Sequence, residues 1–362
     1  MLFLQSQPCV RALKYAVGLR HALGDEIQII FGYLNRTLTE FYGHGDEFFD
    51  KFVKLDPGNL VKGIRSLVKK YKVELIHSHN APDFLTVSAI RAVEDVPIIH
   101  DCHEALTIRK TRYAVYDDEE EVSRYRDYEK TANEQSDGRI YVTEGVKDYI
   151  QRMYRVDPER DLVFNSYVSE SMFPKIFEEK LSERDGQTHI VYIGTVTSRI
   201  EGSHYDLREI FREIADHGMH IHIYVNYTDE AYPRLAETSK FIHYHGHLDR
   251  RLLFQEMTRY DFGWAGFNTA KNKEHLDVML PNKVMEYIAC GLPVLSYPHK
   301  TLKEFIERHR VGLVFNDIQE LTELLETEET DEMRAHILEK RYELTLEKNI
   351  WKVVDFYNKI LT

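Results

Sequence analysis

One sixteen-residue stretch sets a lysine and a glutamate three residues apart: Leu280-Pro281-Asn282-Lys283-Val284-Met285-Glu286-Tyr287-Ile288-Ala289-Cys290-Gly291-Leu292-Pro293-Val294-Leu295. Pro281 or Asn282 opens a helix, Gly291 closes it, and Pro293 starts a strand. Lys283 and Glu286 then share a helix face, while Val284, Met285 and Ile288 supply an apolar one. The unpaired amides of a helix start, with a lysine beside them, suit a diphosphate. A carboxylate one turn further on suits a pair of ribose hydroxyls, through charge-assisted hydrogen bonds of about 1.5–3 kcal/mol each. The plainer account of these residues is a surface ion pair worth roughly 0.2–0.5 kcal/mol.

Four other segments end strand-like runs in reactive side chains. Ile98-Ile99-His100-Asp101-Cys102-His103-Glu104 gives His103 to a sugar hydroxyl or to proton transfer, against the plain alternative of a packed histidine. Ile76-His77-Ser78-His79-Asn80 places two imidazoles on one strand face, which is also a metal-ligand spacing. The same spacing recurs at His220-x-His222 and at His243-x-His245-x-His247, partly a consequence of 18 histidines in the chain. Val191-Tyr192-Ile193-Gly194-Thr195-Val196-Thr197-Ser198-Arg199 runs from a strand into a hydroxyl-rich loop. There Gly194 lets a phosphate approach the backbone and Arg199 could pair with it; a simple turn is the plainer reading. Asp261-Phe262-Gly263-Trp264-Ala265-Gly266-Phe267-Asn268 offers aromatics that suit a base or a sugar, or simply the core.

The elements that must carry these residues alternate strand and helix. Strands are expected at Met1–Gln5, Ile27–Phe31, Leu75–Ser78, Pro97–Asp101, Gly138–Val142 and Leu162–Phe164. A second set is expected at His189–Ile193, Ile221–Val225, Ile242–His245, Phe262–Ala265, Pro293–Ser296 and Gly312–Phe315. Helical spacing runs through Val10–Leu23, Asn59–Tyr71 after the start signal Asp56-Pro57-Gly58, and Tyr342–Leu361. This alternation predicts an α/β chain with two doubly wound parallel sheets. The polar stretch Glu178–Gln187 reads as the linker between them. In such sheets ligands bind beyond the carboxyl ends of the strands, where the five segments lie.

Composition narrows the function. The 362 residues hold 47 Lys and Arg against 60 Asp and Glu, a formal charge of −13, which disfavours nucleic acid as a partner. Residues 1–115 carry 15 basic and 13 acidic side chains, net +2, so the remainder is 32 − 47 = −15. Cys9, Cys102 and Cys290 are far apart, as expected in a reducing compartment. No apolar run approaches the ~18–20 residues of a membrane span, and the start reads as a first strand rather than a signal peptide. Walker A, G-x-G-x-x-G, G-x-S-x-G and H-E-x-x-H patterns are absent from the sequence.

Taken in order, these segments resemble a GT-B glycosyltransferase of the family 4 type over nearly the whole chain. Pro281–Val294 is similar to the family's P-x-K-x-x-E-Y-x-a-x-G-x-P-V pattern, the most specific match. Asp101-Cys102-His103-Glu104 is similar to its D-x-H-E turn, Phe164-Asn165-Ser166 to its p-N-g, and His189–Gly194 to its i-v-y-i-G. The resemblance implies two Rossmann-like domains facing a cleft: an acceptor domain at 1–177, with a final helix at 345–362 packing back onto it, and a donor domain at 178–344. It places Glu286 on the donor ribose, Lys283 and the start of the helix at Asn282 near the diphosphate, Gly194 and Thr195 facing the phosphates, and His103 near the transferred sugar. Arg199 is the basic group left for the phosphates, since Thr195 stands where the family has arginine. Arg11 and Glu104 are acceptor-side candidates. Val278 stands where the family's E-x7-E pair has its first glutamate, with Asp277 one place off, and the first loop reads Gln5-Ser6-Gln7-Pro8-Cys9-Val10-Arg11 without the usual glycines.

The function so implied is transfer of a sugar from a UDP- or GDP-type donor to a glycan, lipid-linked or small acceptor, with retention at the anomeric carbon. No cofactor and no tightly bound metal are expected, the leaving diphosphate being stabilised by Lys283, helix amides and Arg199. The competing readings are a metal-dependent hydrolase built on His77, His79, Asp101 and His103, and a nucleotide-sugar binder or epimerase on the same fold. A cytoplasmic location is expected. Residues 59–72 form a basic helix with Lys62, Arg65, Lys69, Lys70 and Lys72, a candidate for peripheral contact with anionic lipid at the inner membrane face.

Overall fold

The computed structural model describes residues 1–6, 9–79, 83–108, 119–327 and 330–362. Gln7 and Pro8 of the first loop, and Asn80 after the His-x-His pair, lie outside the described residues. Two compact units emerge. The described residues up to 108, residues 119–167 and Leu346–Thr362 form the first; Val168–Thr345 forms the second.

The first unit is a seven-stranded parallel sheet of β1 (Leu2–Gln5), β2 (Ile30–Tyr33), β3 (Lys51–Lys54), β4 (Ile76–His79), β5 (Ile98–Cys102), β6 (Gly138–Tyr141) and β7 (Asp161–Val163), in the order β3-β2-β1-β4-β5-β6-β7. Leu2, Leu4, Ile30, Ile76 and Ile98 from four of these strands meet in one core cluster. A strand buried on both faces reads as an apolar run, which is why β1, β4 and β5 are evident from sequence. β3 is not, because Lys51-Phe52-Val53-Lys54 is an edge strand whose exposed lysines break the run. β2 lies later than expected: its pairing starts at Ile30, opposite Leu2, and Gly32 and Tyr33 extend the ladder to Val53 and Lys54.

The second unit is a six-stranded parallel sheet of β8 (His189–Gly194), β9 (His220–Val225), β10 (Ile242–Gly246), β11 (Phe262–Trp264), β12 (Val294–Ser296) and β13 (Gly312–Val314), in the order β10-β9-β8-β11-β12-β13. Strand order in both sheets reverses direction at the first strand of the unit, β1 or β8. That is the switch point beside which α/β sheets bind ligands.

Five helices carry or flank the residues singled out from the sequence: α1 (Val10–Leu23), α2 (Leu60–Tyr71), α3 (Arg250–Met257), α4 (Asn282–Ala289) and α5 (Trp351–Leu361). Leu346–Thr362 belongs to the first unit. There the Ile350 side chain lies so close to Gly18 of α1 that a methyl group at Gly18 would sit 2.8 Å from it. The unit boundary falls at 167/168 rather than 177/178. Val168 bridges Thr345, and Phe173 and Phe177 pack on the Arg341 guanidinium, so residues 168–177 go with the second unit. The expected linker Glu178–Gln187 is anchored there too: Lys180 Nζ donates to the Tyr260 carbonyl at 2.5 Å and Ser182 Oγ to Asp261 at 2.6 Å. Its polar composition reflects satisfied partners rather than freedom.

Candidate functional site

In the second unit the carboxyl end of β8, the start of α4 and the start of α3 bring four of the expected residues together. β8 ends at Gly194 with φ of +130°, a conformation that a side chain would strain. A Cβ there would lie 3.5 Å from Lys283 Nζ, so the lysine sits directly over the bare backbone. Lys283 is only 7% exposed, and among the described residues its ammonium has no hydrogen-bond partner. It lies 3.7 Å from the centroid of the Tyr192 ring and 5.1 Å from that of Phe267. Two aromatic faces attract a cation by about 0.5–2 kcal/mol each but do not replace lost water or a counter-ion. Burial accordingly lowers Lys283 to about 7, with Glu286 opposing the shift.

Glu286, one turn on, is held by Arg250, whose Nη2 donates to Oε1 at 2.8 Å. Sequence reasoning missed Arg250. It follows the α3 cap Asp249 and looks like any basic residue of a helix start. Tyr287 locks the arrangement. Its hydroxyl accepts from the Ile193 amide at 3.1 Å and donates to the Trp264 carbonyl at 3.0 Å, tying α4 to β8 and β11. Asn282 is exposed at the first position of α4, whose start has no side-chain cap among the described residues. Thr195 is half-buried, and its carbonyl accepts from the Tyr192 hydroxyl. The charge of Arg199 acts on Asp229, which also takes the Ser198 amide and hydroxyl. Asp277, beside Val278, is engaged with Lys273 at 2.5 Å and with the Lys300 amide at 3.4 Å.

In the first unit a second cluster gathers on one face of β4 and β5. His79 pairs in register with Asp101, and alternation puts His77 on the same face while turning His100 away. His100 bonds Thr86 Oγ1 at 2.9 Å and lies 3.4 Å from Asp83, so it is not part of the cluster. Asp101 is fully buried and takes Arg11 Nε on both oxygens, at 3.0 and 3.1 Å. Arg11 also donates to Tyr15 Oη at 2.7 Å. His77 bridges Asp101, at 3.3 Å, and the Tyr357 hydroxyl of α5, at 2.6 Å. His103 Nε2 lies 3.3 Å from His79 Nδ1 and 3.5 Å from Asp101. Its other nitrogen is 3.9 Å from Cys9 Sγ. Burial opposes a charged His103, but Asp101 and the Cys9 contact prevail and raise it to about 9. Burial likewise opposes a Cys9 thiolate, yet His103 prevails and lowers the thiol to about 7. Glu104 is half-buried just after this group.

The ligand atoms of His77, His79 and Asp101 lie within 4.8 Å of one another, a spacing that suits a metal. The donor chemistry does not. The Asp101 carboxylate is fully buried and already neutralises the buried Arg11 guanidinium, which leaves it no charge to spend on a cation. Arg11, expected on the acceptor side, instead holds this carboxylate.

Comparison with known proteins bears on the family and the fold. Residues 21–164 match the family model described as Glycosyltransferase Family 4, and residues 206–347 match that described as Glucosyltransferase 3-like, C-terminal domain. No curated protein matches in sequence. A glycosyltransferase from Rickettsia africae is 14% identical with a TM-score of 0.68, over 100% of this chain and 98% of that one. Sucrose-phosphate synthase from Thermosynechococcus elongatus is 12% identical with a TM-score of 0.71, over 99% and 98%. The Anabaena HepE protein, solved in complex with UDP-glucose, is 14% identical with a TM-score of 0.67, over 98% of each chain.

Proposed function

We propose that this chain, a glycosyltransferase of the GT-B kind similar to family 4, moves a sugar from a UDP- or GDP-type donor held by its second unit to an acceptor served by its first. The observation that carries the donor assignment is the buried Lys283 ammonium, without a hydrogen-bond partner among the described residues, lying over the bare backbone of Gly194. A diphosphate restores the charge that burial opposes. Its negative charge grows as the glycosidic bond breaks, so Lys283 and the uncapped amides of α4 bind the departing group more strongly than the intact donor. Glu286, oriented by Arg250, accepts from two ribose hydroxyls. Arg199, in the loop after β8, draws the donor in. His103, protonated beside Asp101, donates to the transferred sugar.

In this reading the departing diphosphate is neutralised by protein groups, transfer proceeds with retention, and no resident metal takes part. The hydrolase reading loses ground because Arg11 holds the carboxylate that it needs. A panel of nucleotide-sugars, followed by release of nucleoside diphosphate, tests the proposal. Lys283→Met should lose at least tenfold in affinity for the productive nucleotide, and Glu286→Ala should lose about 1.5–3 kcal/mol by calorimetry. Inertness towards every donor, with or without acceptors, would favour a binder that transfers nothing. The exposed basic residues of α2 add a weak peripheral contact with anionic lipid at the cytoplasmic face of a membrane.

A further inference from the structure

The second unit carries an array of imidazoles that the transfer reaction does not use. His189 opens β8, His220 and His222 stand on β9, and His243 and His245 on β10. Register pairs His189 with His220, and His222 with His243, so the rings stack across three strands. His189 and His220 are parallel within 4°, with centroids 4.3 Å apart. His189 and His220 are the first residues of their strands, at the amino-terminal edge of the sheet. His189 and Gly194 are the first and last residues of β8, about 16 Å apart at ~3.3 Å per residue, so the array is remote from Lys283.

At the rim stands Asp185, whose carboxylate is 42% exposed. Its Oδ2 is 3.1 Å from His189 Nε2 and 3.7 Å from His220 Nε2, and the ligand atoms of all three lie within 4.8 Å of one another. A tetrahedral zinc ion with bonds of about 2.0–2.1 Å needs ligand atoms about 3.3 Å apart, which these two separations bracket. Gln187 Oε1, 2.6 Å from His220 Nε2, offers a further oxygen. The second layer is also built. His189 Nδ1 bonds His222 Nε2 at 2.9 Å, His222 Nδ1 bonds His245 Nε2 at 3.0 Å, and His220 Nδ1 bonds His243 Nε2 at 2.8 Å. Without metal the two rim Nε2–H groups donate to Asp185 and Gln187; a metal takes the place of those protons, the rings then donating Nδ1–H along these chains, as in metal-bound histidines with an oriented second nitrogen.

We propose that Asp185, His189 and His220 form a binding site for one divalent first-row metal ion, zinc foremost, at the amino-terminal edge of the second sheet. Two neutral imidazoles and one carboxylate are a borderline-soft set suited to zinc and its neighbours and ill suited to magnesium or calcium. The contrast with the first unit is physical. There the carboxylate beside the paired imidazoles is buried and held by Arg11; here it is open to solvent, with no guanidinium bonded to it among the described residues.

The test uses untagged full-length protein stripped with a chelator, then titrated with zinc in competition with a chromophoric chelator, and with cobalt(II) as a spectroscopic substitute. One equivalent should bind, cobalt should give the intense visible bands of a tetrahedral site, and the thermal midpoint should rise with zinc. Asp185→Asn and His220→Gln should each lose at least tenfold in zinc affinity. Asp185 is a surface side chain, and the metal-free melting curve of Asp185→Asn checks that the fold survives. No binding, or affinity undiminished in both variants, overturns the site. Nucleotide release is a separate readout, so a failed metal site and a failed donor site are distinguishable.

Discussion

At the scale of single residues, two buried groups sit away from their ordinary protonation, and each makes a measurable claim. Burial lowers Lys283 to about 7, so the free protein is protonated there at pH 6 and largely neutral at pH 8. A bound diphosphate favours the charged form. Binding at pH 8 should therefore take up close to one proton, and affinity should fall about fivefold from pH 7 to pH 8. Calorimetry in buffers of different ionisation enthalpy reads both. Lys283→Met should abolish the uptake; uptake that persists in it would assign the proton elsewhere. The second group is the Cys9–His103 pair. His103, raised to about 9, is an imidazolium at neutral pH, and Cys9, lowered to about 7, is half thiolate. Burial pushes Cys102 and Cys290 well up. Brief iodoacetamide treatment at pH 7 should add one label, at Cys9. His103→Gln should slow that labelling about tenfold, as the thiol returns towards its ordinary range. Equal rates in the two proteins would separate the thiol from His103.

At the scale of elements, the donor cluster depends on how tightly α4 seats on its sheet. A Cβ on Gly263 of β11 would lie 2.3–2.5 Å from three atoms of the Tyr287 ring. Gly263→Ala should therefore push Tyr287 off its two backbone partners and lower stability by about 1–3 kcal/mol. Nucleotide affinity should weaken in parallel, because Lys283 and Glu286 ride on the same helix. A urea midpoint equal to that of the parent would show that the contact relaxes freely. The glycine was visible in the sequence; its reason was not, since the ring it meets is more than twenty positions away. The same distinction runs through the molecule. All six strands of the second sheet are legible: β8, β11, β12 and β13 read as short, mostly apolar runs, while β9 and β10 alternate histidine with apolar residues. Lys283 and Glu286 are legible because three-residue spacing defines a helix face. Arg250, the Tyr192–Phe267 cage and the Arg11 grip on Asp101 are not, because each joins residues distant in sequence through side-chain geometry alone. His100 makes the complementary point: adjacent to Asp101 in sequence, it is turned by strand alternation to the other face.

At the scale of the whole molecule, the charge of −13 is unevenly spread, with +2 over residues 1–115 and −15 over the rest. Attraction to an anionic surface must therefore come from a local patch. α2 is that patch: Lys62, Arg65, Lys69 and Lys70 lie on its solvent side, with Lys72 just after it. Its apolar side is not available for insertion, because Ile64 and Leu67 are buried and Leu60, Val61 and Val68 pack on the same core. The lipid contact proposed above would then be purely electrostatic, and Arg65 is partly tied down by the Arg91 and Ala92 carbonyls. Among the described residues no helix is long and apolar enough to cross a membrane. Each freed lysine near the surface contributes about 1 kcal/mol. The chain should co-sediment with vesicles containing anionic lipid at low salt and not with neutral ones. Raising ionic strength to about 1 M, where screening acts within ~3 Å, should release it. The triple variant Lys62→Glu, Lys69→Glu, Lys70→Glu should lose about 3 kcal/mol or more, over a hundredfold, with nucleotide release in solution intact. Co-sedimentation that survives high salt or these charge reversals would mean that another surface, or an apolar contact, meets the lipid.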